Sequence, residues 1–105
     1  MDCGPEPEAE GAWAWDPAVL AWQGNEVALV HAGQLLRPDR LVQRRDPGHE
    51  GHWWVLDYKS AHQPQRSPEK VAQLQAYRAA IRAIYPGQAV KAAFLTGAGA
   101  LIALD

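Results

Sequence analysis

The stretch that decides the fold is HWWVLDYKS, residues 52–60, in which an apolar run ends in an acid and a base. Apolar side chains occupy both alternating faces of its first half, which is typical of a strand buried inside a sheet. Side chains two apart on a strand project from the same face, so Asp57 and Lys59 are expected to lie side by side. Two charged side chains cost free energy to bury unless they pair with each other or bind another group. This strand end therefore predicts either a solvated ion pair or a functional site.

The segment before this strand predicts a hairpin. Residues 25–31 have the composition of one strand, Gly33 marks a turn, and residues 34–45 alternate well enough to form a second strand. Because proline cannot donate to a ladder, the second strand is expected on an edge, bulged, or broken at Pro38-Asp39. Residues 12–23 are predicted to form an irregular strand or a short turn packed on the body.

The segment after it predicts one long helix and two further strands. Ser67 is a helix N-cap, Pro68 suits the first helical position, and Glu69 faces the positive end of the helix dipole. Strands at residues 89–96 and 100–104 complete a β-β-β-α-β-β order, an α/β or α+β fold with one helix packed on a mixed sheet. The apolar face of the helix, up to a stop at Pro86-Gly87, is expected to consist of Val71, Leu74, Tyr77, Ile81 and Ile84.

Length and composition predict one small folded domain. The chain has 105 residues, of which 48% are hydrophobic and 21% charged, as in ordinary globular domains. Residues 1–11 are expected to be a disordered lead-in, and residues 12–105 a single domain. A single cysteine, Cys3, excludes an internal disulfide, and no apolar run reaches the length of a membrane span, so a cytoplasmic location is expected.

Charge patterning excludes a protein that coats nucleic acid with its whole surface. The net charge is −2 and the pI is about 6.0, whereas such proteins are usually basic. The basic residues follow an acidic start, and either a phosphate-attracting face or ordinary solvated surfaces explain this asymmetry equally well. They are Arg37, Arg40, Arg44, Arg45, Lys59, Arg66, Lys70, Arg78, Arg82 and Lys91.

A second carboxylate is expected beside Asp57. Asp39 lies in an adjacent predicted strand, where strand pairing could bring the two acids together. Hard divalent cations such as Mg²⁺ are typically held by one or two carboxylates plus water and substrate phosphate oxygens. A bound cation would acidify a water and neutralise charge on a scissile phosphate, while Lys59 could orient that water or offset transition-state charge.

Three segments together resemble the nuclease domains of RecB- and AddA-like helicase–nucleases, within the PD-(D/E)xK superfamily. They are LRPDRLV at 36–42, WWVLDYKS at 53–60 and QLQAY at 73–77. The resemblance implies a restriction-endonuclease-like core, with Asp39 and Asp57 as ligands of Mg²⁺ or Mn²⁺, the Tyr58 backbone carbonyl as a further ligand, and Lys59 as the catalytic lysine. It also implies that Gln73 and Tyr77, one helical turn apart, border the site and the DNA. From periodicity alone, a core Tyr77 and a solvated Gln73 explain the helix equally well.

The chain also departs from the family pattern. Pro38 stands where relatives usually have glycine or an apolar residue, and no segment before Glu26 resembles the upstream helix whose histidine completes the metal site. The chain is therefore expected to be a C-terminal piece of a larger protein, and it has no phosphate-binding loop of an ATP-driven motor. Glu26 is interpreted either as a peripheral site acid or as an exposed strand-end residue.

The histidines and tryptophans carry weaker signals. His49 and His52 have no partners at ligand spacing, which argues against a zinc site. Tryptophans can stack on single-stranded bases, but core or interface packing is favoured, particularly for Trp53 and Trp54. The remaining three, if exposed, are expected to mark a surface that contacts a missing upstream part: Trp13, Trp15 and Trp22.

The leading hypothesis is a Mg²⁺-dependent deoxyribonuclease of exonuclease type. It would act as one module of a helicase–nuclease in DNA end processing and recombinational repair. The expected partners are DNA, helicase domains of the same polypeptide and a partner helicase–nuclease subunit, with no membrane. The alternative is a non-catalytic DNA-binding or protein-interaction module with a degenerate nuclease fold, which the acidic pI and the missing histidine helix favour.

Overall fold

A five-stranded mixed sheet with one long helix forms the body of the protein. The computed structural model describes residues 11–60, 63–97 and 99–104. The sheet has the order β1-β4-β5-β6-β7, and β2 and β3 form a separate two-stranded hairpin. The bounds are β1 Leu20–Asn25, β2 Leu29–His31, β3 Gln34–Leu36, β4 Arg40–Arg44, β5 Trp53–Lys59, α1 Pro68–Ile84, β6 Val90–Thr96 and β7 Leu101–Ala103, with 3-10 turns at Ala12–Trp15 and Pro64–Arg66.

The strand β5 lies at the centre of the sheet, as its apolar run predicts. It pairs antiparallel with β4 and parallel with β6, and Val55 and Leu56 are both fully buried. Its alternate side chains enter two cores. Val55 packs with Leu74 and Ile81 of α1, while Leu56 packs on the opposite face with Ala14 of the first 3-10 turn. The sheet is therefore covered by a helix on one face and by the N-terminal segment on the other.

The helix α1 begins and ends where capping chemistry predicts. Ser67 Oγ accepts a hydrogen bond from Lys70 N at 3.4 Å, and Pro68 occupies the first turn. The helix ends at Ile84, just before the predicted Pro86-Gly87 stop. One expectation for the buried face is wrong: Ile84, the last residue of α1, is 45% exposed. Among the described residues, no helix has the length and apolarity that a membrane crossing needs.

The predicted upstream hairpin is only partly correct. Its turn is confirmed, since β2 and β3 are joined through Ala32 and Gly33, whose φ angles are 52° and 78°. The predicted strand at residues 25–31 is confirmed only for β2, Leu29–His31. It cannot begin at Asn25, because Glu26 adopts a φ of 48°, a left-handed conformation that ends a strand. Residues 34–45 are likewise not one strand. The predicted break at Pro38-Asp39 is confirmed, and β4 begins only at Arg40.

The strand that pairs with β4 comes from a segment with weak strand signals. Residues 12–23, predicted to form an irregular strand or short turn, contain a 3-10 turn and most of β1. The strand β1 pairs antiparallel with β4, with an irregular register between Leu20 and Trp22. Within the main sheet, the described elements thus keep the predicted β-β-β-α-β-β order, although the first strand is a different segment. The predicted disordered lead-in, residues 1–11, lies outside the described residues except for a buried Gly11.

Candidate functional site

Strand register brings two carboxylates together at one end of the sheet. Arg40 of β4 is the partner of Leu56 of β5, so one step further along the ladder Asp39 lies opposite Asp57. Opposite residues of an antiparallel pair share a face, with Cβ atoms about 4.5–5.5 Å apart. Asp39 precedes β4 and continues the ladder with its side chain, since its Oδ2 accepts a hydrogen bond from Tyr58 N at 2.8 Å. Asp39 is thereby fixed beside the end of β5.

Asp57 is a buried carboxylate with an unusual ionisation. It is 3% exposed, and Lys59 Nζ lies 3.0 Å from its Oδ2. The ammonium is an ion-pair neighbour without hydrogen-bond geometry, so this oxygen is buried with no hydrogen-bond partner among the described residues. Burial first, and then the neighbouring Asp39, raise the pKa of Asp57 to about 6, although Lys59 acts to lower it. A cation at this oxygen would stabilise the ionised form.

Lys59 connects the carboxylates to the helix. Its Nζ donates to Gln73 Oε1 of α1 at 3.4 Å, and the Gln73 side chain is exposed to solvent. One turn later, Tyr77 is 7% exposed and belongs to the core. Burial and then the charges of Asp57 and Asp39 raise the pKa of the Tyr77 phenol, which means that the phenol lies within electrostatic reach of both acids. The structure therefore brings both helix residues to the site while leaving Tyr77 in the core.

Glu26 directly follows β1 and lies next to Asp39. Its backbone N donates to Asp39 O at 2.9 Å, and its side chain is exposed. Both residues line an open pocket of about 440 Å³ together with Trp15, Asn25 and Tyr58. Asp39 lines this pocket, and Asp57 is not one of its lining residues. Glu26 is thus close to one of the two central acids rather than part of their cluster.

Arg40 is a supporting residue that sequence reasoning missed. It is 3% exposed, its Nε donates to Ala14 O at 2.8 Å, and one terminal nitrogen donates to Asn25 Oδ1 at 2.6 Å. Its guanidinium also lies 5.0 Å from the centroid of the Trp15 ring. Arg40 therefore fixes the first 3-10 turn and the end of β1 around the carboxylates. The position of Arg40 directly after Asp39 is a sequence signal for this supporting role. Its charge alone assigns it only to the group of basic residues.

Other cations of the predicted phosphate-attracting face also bind the protein itself. Arg44 forms an ion pair with Asp46 at 2.6 Å and lies 4.1 Å from the centroid of the Trp13 ring. Arg45 donates to the carbonyl oxygen of Pro17 at 2.8 Å. Together with buried Arg40, these contacts favour a structural role for this part of the basic cluster over a phosphate-binding one.

The donor set fits a hard divalent cation. Two carboxylates converge, and the buried Oδ2 of Asp57 has the Lys59 ammonium 3.0 Å away as its ion-pair neighbour. No group of three or more His, Cys, Asp or Glu side chains capable of holding a metal occurs among those residues, which is unlike the three or four protein ligands of zinc sites. A cation that takes one or two carboxylates and fills its remaining positions with water and phosphate oxygens suits this arrangement.

Comparison with known protein families identifies the family to which the sequence of this site belongs. A family model described as the PD-(D/E)XK nuclease superfamily matches residues 36–102, more than half of the 105-residue chain. The matched range includes Asp39, Asp57, Lys59 and the helix α1, and it begins after Glu26. A search of the curated proteins found no match. The mixed sheet with one long helix agrees with the restriction-endonuclease-like fold expected from the sequence, and that fold class is confirmed.

Proposed function

Because the chain belongs to the PD-(D/E)XK nuclease superfamily, we propose that it hydrolyses phosphodiester bonds in DNA at Asp39, Asp57 and Lys59. The observation that carries this proposal is the β4–β5 register, which sets Asp39 opposite a buried Asp57. Lys59 lies 3.0 Å from Asp57 Oδ2. Two acids and a lysine at the end of an apolar strand cost folding free energy, and a role in catalysis explains why they lie there.

The acids would hold the cofactor. Asp39 and Asp57, with the backbone carbonyl of Tyr58, are the proposed ligands of Mg²⁺ or Mn²⁺. When bound, such a cation polarises the phosphate oxygens and acidifies a water. The hydrogen bond of 2.8 Å between Tyr58 N and Asp39 Oδ2 keeps one carboxylate oriented, and the buried strand around Asp57 keeps the other. The protein thus supplies a preorganised pair of anionic ligands.

Lys59 would stabilise charge on the reacting phosphate. Its side chain projects from the same face of β5 as Asp57, and its hydrogen bond of 3.4 Å to Gln73 orients the ammonium toward α1. An ammonium held in place is already oriented when negative charge develops on the phosphate oxygens, so little reorganisation is needed. Gln73 is therefore proposed as a positioning residue for Lys59, and Tyr77 as a site-bordering residue. Glu26 is proposed as a peripheral acid.

The test is a cleavage assay on labelled single-stranded and duplex DNA with Mg²⁺ or Mn²⁺. We expect wild type to cleave, Asp57→Asn to show no activity, and Lys59→Ala to lose about 100- to 1,000-fold in kcat, as when one oriented transition-state donor is removed. Glu50→Gln is the matched control, because it removes an exposed carboxylate from the loop at the opposite end of β5. Cleavage by Asp57→Asn at the wild-type rate would contradict the assignment.

The wider setting we propose is a RecB- or AddA-like helicase–nuclease in DNA end processing and recombinational repair. The segments at 36–42, 53–60 and 73–77 support it, and the partners would be DNA, helicase domains of the same polypeptide and a partner helicase–nuclease subunit. A cytoplasmic location goes with this proposal. In a full-length protein of this kind, ATP-dependent degradation of linear but not circular duplex DNA is the expected exonuclease activity. Equal degradation of both would contradict the exonuclease assignment.

A non-catalytic binding module is the second candidate. It is favoured by the absence, among the described residues, of a third side chain that could complete a metal site with the two acids. This candidate predicts DNA binding without cleavage by wild type under all metal conditions. It also predicts that Asp57→Asn changes neither DNA binding nor metal binding.

A further inference from the structure

Two exposed aromatic side chains flank the pocket beside Asp39. Trp15 is 43% exposed and Tyr58 is 50% exposed, and their ring centroids are 5.8 Å apart with the planes inclined by 40°. Tyr58 stands between Asp57 and Lys59 in β5, so its side chain projects from the opposite face of the sheet. We propose that Trp15 and Tyr58 form a stacking site for an unpaired base of the DNA strand that is cut at Asp39 and Asp57.

The aromatic pair is held in place by its neighbours. The guanidinium of Arg40, itself buried, lies 5.0 Å from the Trp15 centroid, and Arg40 Nε binds the carbonyl oxygen of Ala14 at 2.8 Å. Tyr58 is fixed through its backbone N, which donates to Asp39 Oδ2. Aromatic side chains that are already ordered cost little conformational entropy when a ligand binds. The Asp39 contact also joins the stacking site directly to the proposed catalytic pair.

The chemistry of the pocket selects a base rather than a phosphate. Besides the two rings, it is lined by Asn25, Glu26 and Asp39. Without a bound cation, the two carboxylates repel a phosphate group, whereas the side chains of Asn25 and Glu26 can accept hydrogen bonds from the amino and imino groups of a neutral base. The volume of about 440 Å³ falls within the range of roughly 300–1,000 Å³ common for small-molecule clefts. A base stacked on the rings with its polar edge toward these side chains satisfies both parts of the pocket.

The stacking site implies a substrate class. A base inside a duplex has both faces covered by its neighbours, so an aromatic side chain reaches a face only when the nucleotide is unpaired. This inference rests on the proposed nuclease function for the place of cleavage, and it deepens that function by naming single-stranded DNA or an unpaired strand end as the substrate. Closed duplex DNA would leave the pocket vacant.

The test measures binding of fluorescently labelled oligo-dT and of a blunt duplex by anisotropy in EDTA, with the whole chain. Trp15→Ala and Tyr58→Leu are each expected to weaken oligo-dT binding about 5- to 100-fold, the range for one lost base stack, without changing duplex binding. Trp22→Ala is the matched control. Trp22 is 44% exposed, but it lies against Trp53, which belongs to the core on the α1 side of the sheet. Its substitution is therefore expected to leave binding unchanged.

A second measurement needs no substitution. Adding oligo-dT to the ¹⁵N-labelled wild-type chain is expected to shift the indole N–H resonance of Trp15 and to leave that of Trp22 in place. Equal effects at both tryptophans, wild-type affinity in Trp15→Ala and Tyr58→Leu, or no oligo-dT binding by wild type would each overturn the stacking site. Because EDTA removes the metal, these results are independent of cleavage. Trp15-dependent binding in a protein whose Asp57→Asn variant still cleaves would contradict only the nuclease proposal.

Discussion

Asp57 links the candidate site to the stability of the fold. Its pKa is raised to about 6 by burial and by Asp39, so the folded protein holds this proton more tightly than the unfolded chain does. Such a group stabilises the fold fully below its unfolded pKa of about 4, and that contribution disappears as the pH rises through the folded value. Below pH 6 the protonated acid is favoured, and above it the protein holds a buried negative charge.

The expected result is a fall in the free energy of unfolding between about pH 4 and pH 6 in metal-free buffer. The size should be on the order of 1–3 kcal/mol, at about 1.4 kcal/mol per pKa unit. Asp57→Asn should remove this part of the pH dependence, whereas Glu50→Gln should keep it. Urea denaturation at a series of pH values measures the difference, and parallel curves for wild type and Asp57→Asn would show that Asp57 does not titrate in this way.

Arg40 provides a prediction about support rather than catalysis. Its buried guanidinium donates to Ala14 O and Asn25 Oδ1, and removing it leaves the buried carbonyl oxygen of Ala14 without its donor. Arg40→Ala should therefore lower the free energy of unfolding by about 2 kcal/mol or more. Arg45→Ala, at an exposed arginine that also bonds to backbone carbonyls, should change it by less than about 0.5 kcal/mol. Equal losses in the two variants would contradict the supporting role.

For single residues, the sequence predicts the candidate site side chains better than it predicts the residues that hold them in place. The two-residue period of β5 is enough to set Asp57 and Lys59 on one face, and an acid in the neighbouring strand suggests Asp39. The burial of Arg40 depends on a 3-10 turn 26 residues earlier in the chain. No local pattern contains that contact. The roles of these residues stay predictions, although the structure brings Asp39, Asp57, Lys59 and Gln73 together.

Among the elements, α1 is the one whose two ends are determined by residues at those ends. Ser67, Pro68 and Tyr85 supply the cap, the first turn and the end of the helix, and each acts within a few residues of its own position. The first strands depend instead on long-range pairing. The left-handed conformation of Glu26 ends β1, and a glutamate carries no signal of that geometry. Hence β1, β2 and β3 could not be separated by alternation alone.

The cap of α1 gives a prediction at this scale. Ser67 Oγ accepts from Lys70 N at 3.4 Å, a long hydrogen bond, so Ser67→Ala should lower the free energy of unfolding by about 0.5–1 kcal/mol, at the lower end for an N-cap. Ser60→Ala is the matched control, since Ser60 is exposed and precedes the helix without capping it. Thermal denaturation of both variants measures the loss, and a loss in Ser60→Ala as large as that in Ser67→Ala would contradict the cap.

For the whole molecule, topology explains how distant segments of sequence form one site. The start of β4 and the end of β5 lie at the same end of the sheet because the two strands are antiparallel. The helix α1 returns from that same end, since it joins β5 to its parallel neighbour β6. Asp39 and Asp57 therefore lie together, and Gln73 reaches Lys59 beside them, even though these residues come from separate segments. The α+β class with one long helix was predictable from element order, whereas the β1–β4 pairing was not.

The central claim is that Asp39 and Asp57 form a divalent cation site, and Mn²⁺ binding to the whole chain by calorimetry tests it most directly. We expect wild type and Glu50→Gln to bind Mn²⁺ alike, and Asp57→Asn and Asp39→Asn each to lose binding, because two carboxylates supply the charge that holds the cation. Binding should also raise the melting temperature of wild type but not that of Asp57→Asn. Equal Mn²⁺ binding by wild type and Asp57→Asn, or no binding by wild type, would contradict the claim.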